Sequence, residues 1–438
     1  MRTTDHILYR PAGLGAGPAR PGAGSARPGA GSTGTETGGF ATRLMASSIS
    51  IIASVLGELA SGVMKAITNL KFVKPARRLP VLLLLLALLT GTTALAQDFT
   101  DKRSVTRSYP ASRETTLEVQ NKYGKIQLAT WERDSVDVSV DLFLTESSSS
   151  KLRKLKDDIH IDFTGTNTYI LVKTVIESES GRLASELRSV THTITGSNKR
   201  VEVNYMIHVP KYMDVVLQNK FGDIFLDELD GQVDIDLSNG VLKANRLEGN
   251  CAISLSFANG MINALGSATM DLSYTDLTLG EANQLDVESK SSEVRIEKAN
   301  VVKINSRRDK YHLQKVEYFY GNSDFTQVWV FDFIRESDLY MKYGELTIEH
   351  ILPGFNRIYV ESDYTDISLW FDPASSFSFD ILHHEKSVLR LPGEGVTADE
   401  RYDGKSHFQT TGSAGQGETA GRLQIDALQK CYVNISFK

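Results

Sequence analysis

Short runs of alternating apolar and polar residues fill the C-terminal half of the chain, and each run switches parity at a two-residue bend. In the fullest copy, Leu217 to Phe221 alternate with one parity, whereas Ile224 to Leu226 alternate with the other. Because successive strand residues point to opposite faces, Gly222 and Asp223 must turn a corner that returns the apolar positions to the same side. The pattern predicts a unit of strand, bend and strand.

This unit recurs at intervals of about 15 to 21 residues in the C-terminal half. The first strands of its eight copies end at residues 123, 221, 239, 259, 274, 291, 343 and 364. Two short strands cannot bury their apolar face alone, so neighbouring units must stack on a shared core. The prediction is an all-β fold, a β-solenoid (β-helix) of about 18-residue coils. An antiparallel β-sandwich is the alternative, but a sandwich needs no repeated corner.

The residues at the end of each first strand are expected to point inward by parity. They are aromatic in five copies and asparagine in two: Tyr123, Phe221, Tyr274, Tyr343 and Tyr364, with Asn239 and Asn259. Stacked rings would fill core volume, and stacked amides could hydrogen-bond along the axis. A structural role is therefore predicted, since an aromatic platform for sugars would need the rings outside.

Before the regular repeats, residues 97–214 are predicted to form an irregular β-rich capping module, followed by a solenoid over residues 215–438. Ser147 to Asp158 has helix-forming composition, with Leu152, Leu155 and Ile159 on one stripe. Four basic residues occupy the polar side of this helix: Lys151, Arg153, Lys154 and Lys156. They could dock an anionic glycan or lipid head group, but a solvated face on a helix that covers the open first coil is favoured.

Three later stretches depart from the repeat. Between residues 300 and 338 the pattern weakens, and Trp329, Phe331 and Phe333 indicate a wider coil or a lateral loop. Gly393 to Gly421 has the composition of a polar, glycine-rich loop. The alternation from Cys431 to Phe437 predicts the closing strand.

The N-terminal 96 residues are expected to be absent from the working protein. Residues 1–63 have a low-complexity composition that cannot form a packed core, and are interpreted as an artefact of an upstream start codon, with a disordered cytoplasmic extension as the alternative. Residues 64–96 have the features of a secretory signal peptide: basic residues, the apolar run Val81 to Leu89, and Ala94-Leu95-Ala96 before Gln97. An uncleaved anchor is disfavoured because the apolar segment is shorter than the ~20 residues of a membrane span.

Charge narrows the choice of partners. The full chain has a formal net charge of −6, and removing residues 1–96 takes away ten Lys/Arg and three Asp/Glu, which leaves 38 basic and 51 acidic side chains. Nucleic acid and anionic membrane surfaces are therefore poor partners.

Few residues suggest chemistry, and no catalytic, cofactor or metal residue is assigned. The position after the corner is acidic in five copies: Asp223, Asp276, Glu293, Glu345 and Asp366. Such a column could bind calcium if the coils stack, but aspartate also suits tight bends, and Lys125, Val241 and Met261 are aligned with the same slot.

Histidine and cysteine add little. His383-His384-Glu385 has no third spaced ligand, and adjacent strand residues face opposite ways. Cys251 and Cys431 lie in apolar alternations and are interpreted as core residues rather than as a disulfide.

The phrases Asn121 to Ile126 and Asn219 to Ile224, the latter preceded by Val209-Pro210-Lys211, resemble the putative adhesin family of exported bacterial proteins. The resemblance covers about residues 115 to 436 and implies a β-helical repeat region without assigned enzymatic activity. It favours a non-enzymatic, adhesin-like or envelope scaffold protein in the periplasm or at the cell surface, with a cell-surface glycan or envelope protein as partner. The alternative is a polysaccharide-degrading β-helix enzyme, a lyase or hydrolase, because the fold alone does not decide.

Overall fold

The computed structural model describes residues 98–177 and 200–438. The expectations for residues 1–63, the signal peptide at 64–96 and cleavage before Gln97 concern residues outside these ranges. Among the described residues, no helix has the length and apolarity needed to cross a membrane.

Within residues 98–177 and 200–210, the N-terminal part contains seven strands and one helix. Their bounds are β1 Phe99–Pro110, β2 Thr116–Lys122, β3 Ile126–Trp131, β4 Ser135–Glu146, α1 Ser149–Asp158, β5 Ile159–Gly165, β6 Tyr169–Ile176 and β7 Arg200–Pro210. The helix begins after Ser148, whose hydroxyl caps the amide of Lys151, and it buries Leu155 while Lys151, Arg153 and Lys154 stay exposed. Lys156 forms an ion pair with Asp101 of β1.

Twelve strands then build the body of the molecule. They are β8 Asp214–Lys220, β9 Ile224–Leu229, β10 Val233–Ser238, β11 Val241–Ser256, β12 Asn259–Ser273, β13 Asp276–Lys290, β14 Glu293–Arg307, β15 Lys310–Asp324, β16 Gln327–Lys342, β17 Glu345–Ile351, β18 Arg357–Asp363 and β19 Asp366–Phe371. The C-terminal part adds β20 Phe377–His384, β21 Val388–Arg390, β22 Val396–Tyr402, β23 His407–Ala414, β24 Gly421–Ala427 and β25 Tyr432–Phe437.

Parallel pairing between successive coils confirms the solenoid and excludes the sandwich. Asn259, Asp276, Glu293, Lys310 and Gln327 lie in register, each 17 residues after the last. Longer steps occur at both sides, 18 residues from Val241 to Asn259 and 21 from Glu345 to Asp366. The apolar positions of all coils face one continuous core. The prediction of a wider coil or lateral loop at residues 300–338 is wrong: β15 and β16 continue the regular stack, and Phe333 is buried in the core.

Both ends of the solenoid insert a coil out of chain order. At the N-terminal end, β2 and β3 pair in parallel with β8 and β9 on one side, and with β6 and β7 on the other. Antiparallel strands extend this end, with β5 on β6, β4 on β7 and β1 on β4. The boundary at residue 214 stays a prediction, although β2 and β3 stack as a coil of the solenoid.

The C-terminal end follows the same plan. β24 and β25 pair with β18 and β19 on one side and with β20 and β21 on the other. β23 then pairs antiparallel with β20, and β22 pairs with β23. Residues 393–421 are therefore not a loop, since they contain this hairpin. Likewise, β25 is not the closing strand, because β21 lies beyond it.

The corner in the structure differs from the predicted corner in the residue at which the chain turns. The backbone turns at Phe221, whose φ is +60°, so the left-handed residue precedes Gly222. The side chain that faces the core at the bend is therefore that of position 222, not 221. Glycine is required there for space, because an added Cβ would lie 1.7 Å from the carbonyl oxygen of Gly124 in the neighbouring coil.

Candidate ligand-binding surface

One residue in each of ten coils adopts the left-handed conformation at the same corner. These residues, with φ between +51° and +65°, are Tyr123, Phe221, Asn239, Phe257, Tyr274, Ser291, Arg308, Phe325, Tyr343 and Tyr364. We call them the corner column. From Tyr123 to Tyr343, each amide N–H of the column donates to the carbonyl before the next corner, as Ser291 does to Arg307 at 3.0 Å. The shared backbone geometry therefore points the ten side chains in a common direction.

The prediction that the corner aromatics face inward is wrong. Phe257 is 62 % exposed, and Tyr274, Phe325, Tyr343 and Tyr364 are about half exposed. The left-handed residue does not point into the core, because the residue after it takes the inward position. The alternation of inward and outward side chains therefore switches between these two residues. Tyr123 is buried, and Phe221 is half-buried against it. The proposed equivalence of Asn239 and Asn259 is also wrong, since Asn239 aligns with Phe257.

Adjacent rings of the corner column stack nearly in parallel. The centroid separations are 5.6 Å for Tyr123–Phe221, 4.8 Å for Phe257–Tyr274, 4.9 Å for Phe325–Tyr343 and 5.2 Å for Tyr343–Tyr364. These separations match the distance between hydrogen-bonded strands. Inside a stack each ring covers the faces of its neighbours, so mainly ring edges and tyrosine hydroxyls meet solvent. Ring faces are open only where the column contains a non-aromatic residue.

Behind the corner column runs an inward column of small and polar residues. It consists of Gly124, Gly222, Gly240, Ala258, Thr275, Ser292, Asp309, Thr326, Gly344 and Thr365. From Ser292 to Thr326 each side chain accepts a hydrogen bond from the amide of the residue below it: Ser292 Oγ accepts from Thr275, Asp309 Oδ1 from Ser292, and Thr326 Oγ1 from Asp309.

Asp309 is the buried charge of this column. Only 2 % of it is exposed, and its carboxylate accepts four hydrogen bonds, from the amides of Ser292 and Arg307 and from the hydroxyls of Ser289 and Ser306. Full hydrogen bonding is what makes a buried carboxylate tolerable. Through these two amides, Asp309 fixes the backbone beside Ser291 and beside Arg308.

A groove of about 750 Å³ lies on the sheet that follows the corner in the same coils. The rings of His312 and Trp329 stack there at 4.7 Å, and Arg295, Phe331 and Glu349 help to line it. Desolvation lowers the pKa of His312 below its usual value. Glu293 pairs with Arg295 and lies 3.6 Å from His312, so its carboxylate is occupied.

The predicted acidic column is interrupted. Register places Asp276 beside Glu293, but Lys310 and Gln327 follow before Glu345 and Asp366. Asp223 stands apart and accepts the amide of Val241. Met261 does not share the slot, which belongs to Asn259 in that coil. Among the described residues, no group of three or more His, Cys, Asp or Glu side chains could hold a metal ion.

The other sequence candidates lie outside the corner column. His383 is buried and His384 is partly exposed on the opposite face of β20. Cys251 and Cys431 are both buried and free, and burial raises the pKa of Cys251 to about 11. An unexpected histidine, His350, bridges Asp332 and Asp372, and these hydrogen bonds raise its pKa.

Two corner residues escaped the sequence pattern, Arg308 and Phe325. They follow Ser291 at steps of 17 residues, and that spacing is a signal that could have found them.

No protein-family model matches this chain, and no curated protein matches it either. Solved structures do match. A protein of Parabacteroides distasonis described as a putative adhesin is 10 % identical, with 62 % of this chain and 94 % of that chain covered and a TM-score of 0.26. A putative adhesin of Parabacteroides merdae is 10 % identical over 61 % of this chain and 91 % of that chain, with a TM-score of 0.24.

A third match, described as a putative lipid binding protein of Parabacteroides distasonis, is 13 % identical over 60 % of this chain and 92 % of that chain, with a TM-score of 0.26. The family that the corner phrases resemble is thus also the class named for two of these structures.

Proposed function

We propose that this is a non-enzymatic, adhesin-like protein of the cell envelope that binds an extended glycan along the corner column and the adjoining groove. The observation that carries the proposal is the set of exposed aromatic rings held in one conformation along the solenoid. A bulky residue with positive φ is strained, and a large exposed apolar surface is uncommon in soluble proteins unless it binds something. The column therefore has the properties of a binding surface.

An extended polymer suits the shape of this surface. Within each stack of the corner column, one ring follows another in every coil at a separation of about 5 Å. The stacked rings present their edges and hydroxyls to a ligand that lies along the solenoid axis. The groove with His312 and Trp329 adds a flat aromatic wall in the same coils as Arg308 and Phe325. Export to the periplasm or the cell surface belongs to the same proposal.

The test is retention of polysaccharides by the purified full-length protein. A panel of neutral and acidic polysaccharides is run by affinity electrophoresis, and each bound polymer is then analysed for new chain ends. We expect retention without cleavage, and we expect the variant Phe325→Ala/Tyr343→Ala/Tyr364→Ala to lose most of it. Failure to retain any polymer contradicts the proposal, and shortened products favour the alternative of a polysaccharide-degrading enzyme.

A further inference from the structure

The corner column is interrupted by two non-aromatic residues, Ser291 and Arg308, in the middle of the solenoid. Tyr274 stacks on Phe257 with one face, so its other face is directed toward the coil of Ser291. On the far side, the guanidinium of Arg308 lies 6.0 Å from the ring centre of Phe325. Ser291 has the same backbone conformation as its neighbours but a side chain of only two heavy atoms.

The space above Ser291 has the thickness of one ring. Tyr274 and Arg308 are two coils apart, which corresponds to about 10 Å at ~4.8 Å per strand. Stacked pairs in this column lie 4.8 to 5.2 Å apart when both members are aromatic and solvent-exposed. A ring inserted midway would therefore lie at stacking distance from Tyr274 on one side and from the guanidinium of Arg308 on the other.

Positive charge is concentrated around this gap. Residues 290–315 contain eight Lys or Arg and three Asp or Glu, whereas the full chain has a net charge of −6. One of the three acids, Asp309, is buried and fully hydrogen-bonded. A second, Glu293, is paired with Arg295.

Four exposed cations beside the gap have no anionic partner. Lys290 and Arg307 precede the corner in their coils, and Arg308 and Lys310 lie at or after it. The ion pairs of neighbouring coils use Arg295, His312 and Lys342 instead. Within the described ranges, none of these four side chains takes part in an ion pair.

We propose that the gap at Ser291 binds one carboxylated sugar ring, such as a uronic acid, within the glycan of the proposed function. The apolar face of the sugar stacks on Tyr274, and its carboxylate pairs with Arg308 and the cations beside it. Asp309 accepts hydrogen bonds from the amides of Ser292 and Arg307, and so positions the floor of the gap at Ser291 and its wall at Arg308. This inference rests on the proposed function and specifies the substrate class at one point of the same surface.

The chain offers a matched control for this gap. Asn239 also interrupts the corner column, between Phe221 and Phe257, and has a φ of +59°. Its neighbours before the corner, Ser238 and Ser256, are uncharged. Phenylalanine is already accommodated at φ values of +51° and +55° in this column, so Ser291→Phe and Asn239→Phe should both fold.

The test is isothermal titration of the full-length protein with tetramers of galacturonate, mannuronate and hyaluronan, together with the methyl ester of the galacturonate tetramer. We expect at least one acidic tetramer to bind, and its affinity to fall at least tenfold in Ser291→Phe and in Arg308→Gln. Asn239→Phe should weaken binding several-fold less than Ser291→Phe does. For galacturonate, esterification should weaken binding to the same extent as Arg308→Gln, and added salt should weaken binding as well.

Three outcomes overturn the inference: no acidic tetramer binds, Ser291→Phe binds like the unmodified protein, or Asn239→Phe loses as much affinity as Ser291→Phe. Retention of neutral polysaccharides in any of these cases leaves the proposed function intact. Co-sedimentation with vesicles of phosphatidylglycerol and phosphatidylcholine, in the absence of tetramer binding, would assign the cationic patch to a lipid surface instead.

Discussion

Phe221 and Gly222 have different structural roles at the same corner. Phe221 adopts the left-handed conformation and stacks on Tyr123, while Gly222 allows the neighbouring backbone to approach closely. Truncation of the Phe221 side chain removes a ring that lies at the edge of the core. A side chain introduced at position 222 would overlap the backbone of the neighbouring coil.

This division predicts the order of two substitutions. Gly222→Ala should lower the free energy of unfolding by about 3 kcal/mol or more, because its Cβ would overlap the carbonyl oxygen of Gly124 and both backbones must move. Phe221→Ala should cost less, about 2 kcal/mol, because a partly buried ring loses its packing against the core and its stacking on Tyr123. Urea denaturation of both variants measures the difference. Gly393→Ala is the control, since nothing lies within 4 Å of that position, and a greater loss in Phe221→Ala would contradict the description of the corner.

A second prediction concerns the buried carboxylate. Asp309→Ala should reduce the free energy of unfolding by about 3 kcal/mol or more, because the amides of Ser292 and Arg307 lose their buried acceptor. Asp276→Ala is the control, because the side chain of Asp276, two residues after the corner residue Tyr274, is exposed. Chemical denaturation of the two variants gives the comparison, and equal stability would show that Asp309 does not hold the corner.

At the scale of elements, the outermost strands carry charges that discourage pairing with another molecule. Among the described strands, β22 bonds to β23 alone, and Asp399 and Arg401 form an ion pair on it. Charged side chains on an edge strand are a general protection against edge-to-edge association. β1, which pairs with β4 and with no other described strand, also contains several charged residues.

Removing this protection should cause association. Asp399→Val/Arg401→Val converts the edge of β22 into a flat, β-branched strand, and we expect its apparent mass to rise with concentration in size-exclusion chromatography with light scattering. Asp286→Val/Lys303→Val removes an ion pair of similar kind from β13 and β14, which are paired on both sides, and should leave the mass unchanged. Association of both variants alike would contradict a role for the edge.

The elements also show what the sequence could predict. Alternation and the 17- to 18-residue spacing predicted the coils correctly, because each inward residue repeats its environment in the next coil. The direction of Tyr274 or Phe325 was not predictable by parity, since one left-handed residue resets the alternation at that point. The gap at Ser291 required knowledge of register, because its walls come from residues 17 positions away on either side. The inserted coils depend on pairing between strands at least 44 residues apart, for which the local pattern contains no information.

At the scale of the whole molecule, the C-terminal residues form part of the interior of the stack. β24 and β25 are bonded on both sides, and Leu423, Ile425, Val433 and Ile435 are buried in the core. Their removal would leave two unpaired faces rather than a shorter solenoid.

Truncation after residue 420 should therefore abolish cooperative folding. We expect the truncated chain to be insoluble, or to show no thermal transition by circular dichroism, whereas two residues inserted at Gly404 should be tolerated because nothing lies within 4 Å of that glycine. A soluble truncated protein with a sharp transition would contradict the assignment of β24 and β25 as an inner coil.

The inserted coil at the C-terminal end has a mechanical consequence. A pulling force applied at Lys438 enters through β25, which is hydrogen-bonded to β19 on one side and to β21 on the other. Tension therefore loads two neighbouring coils at once, and the stack cannot be unwound from that end one coil at a time. An attachment through Lys438 would resist extension more strongly than the simple order of coils in the chain implies.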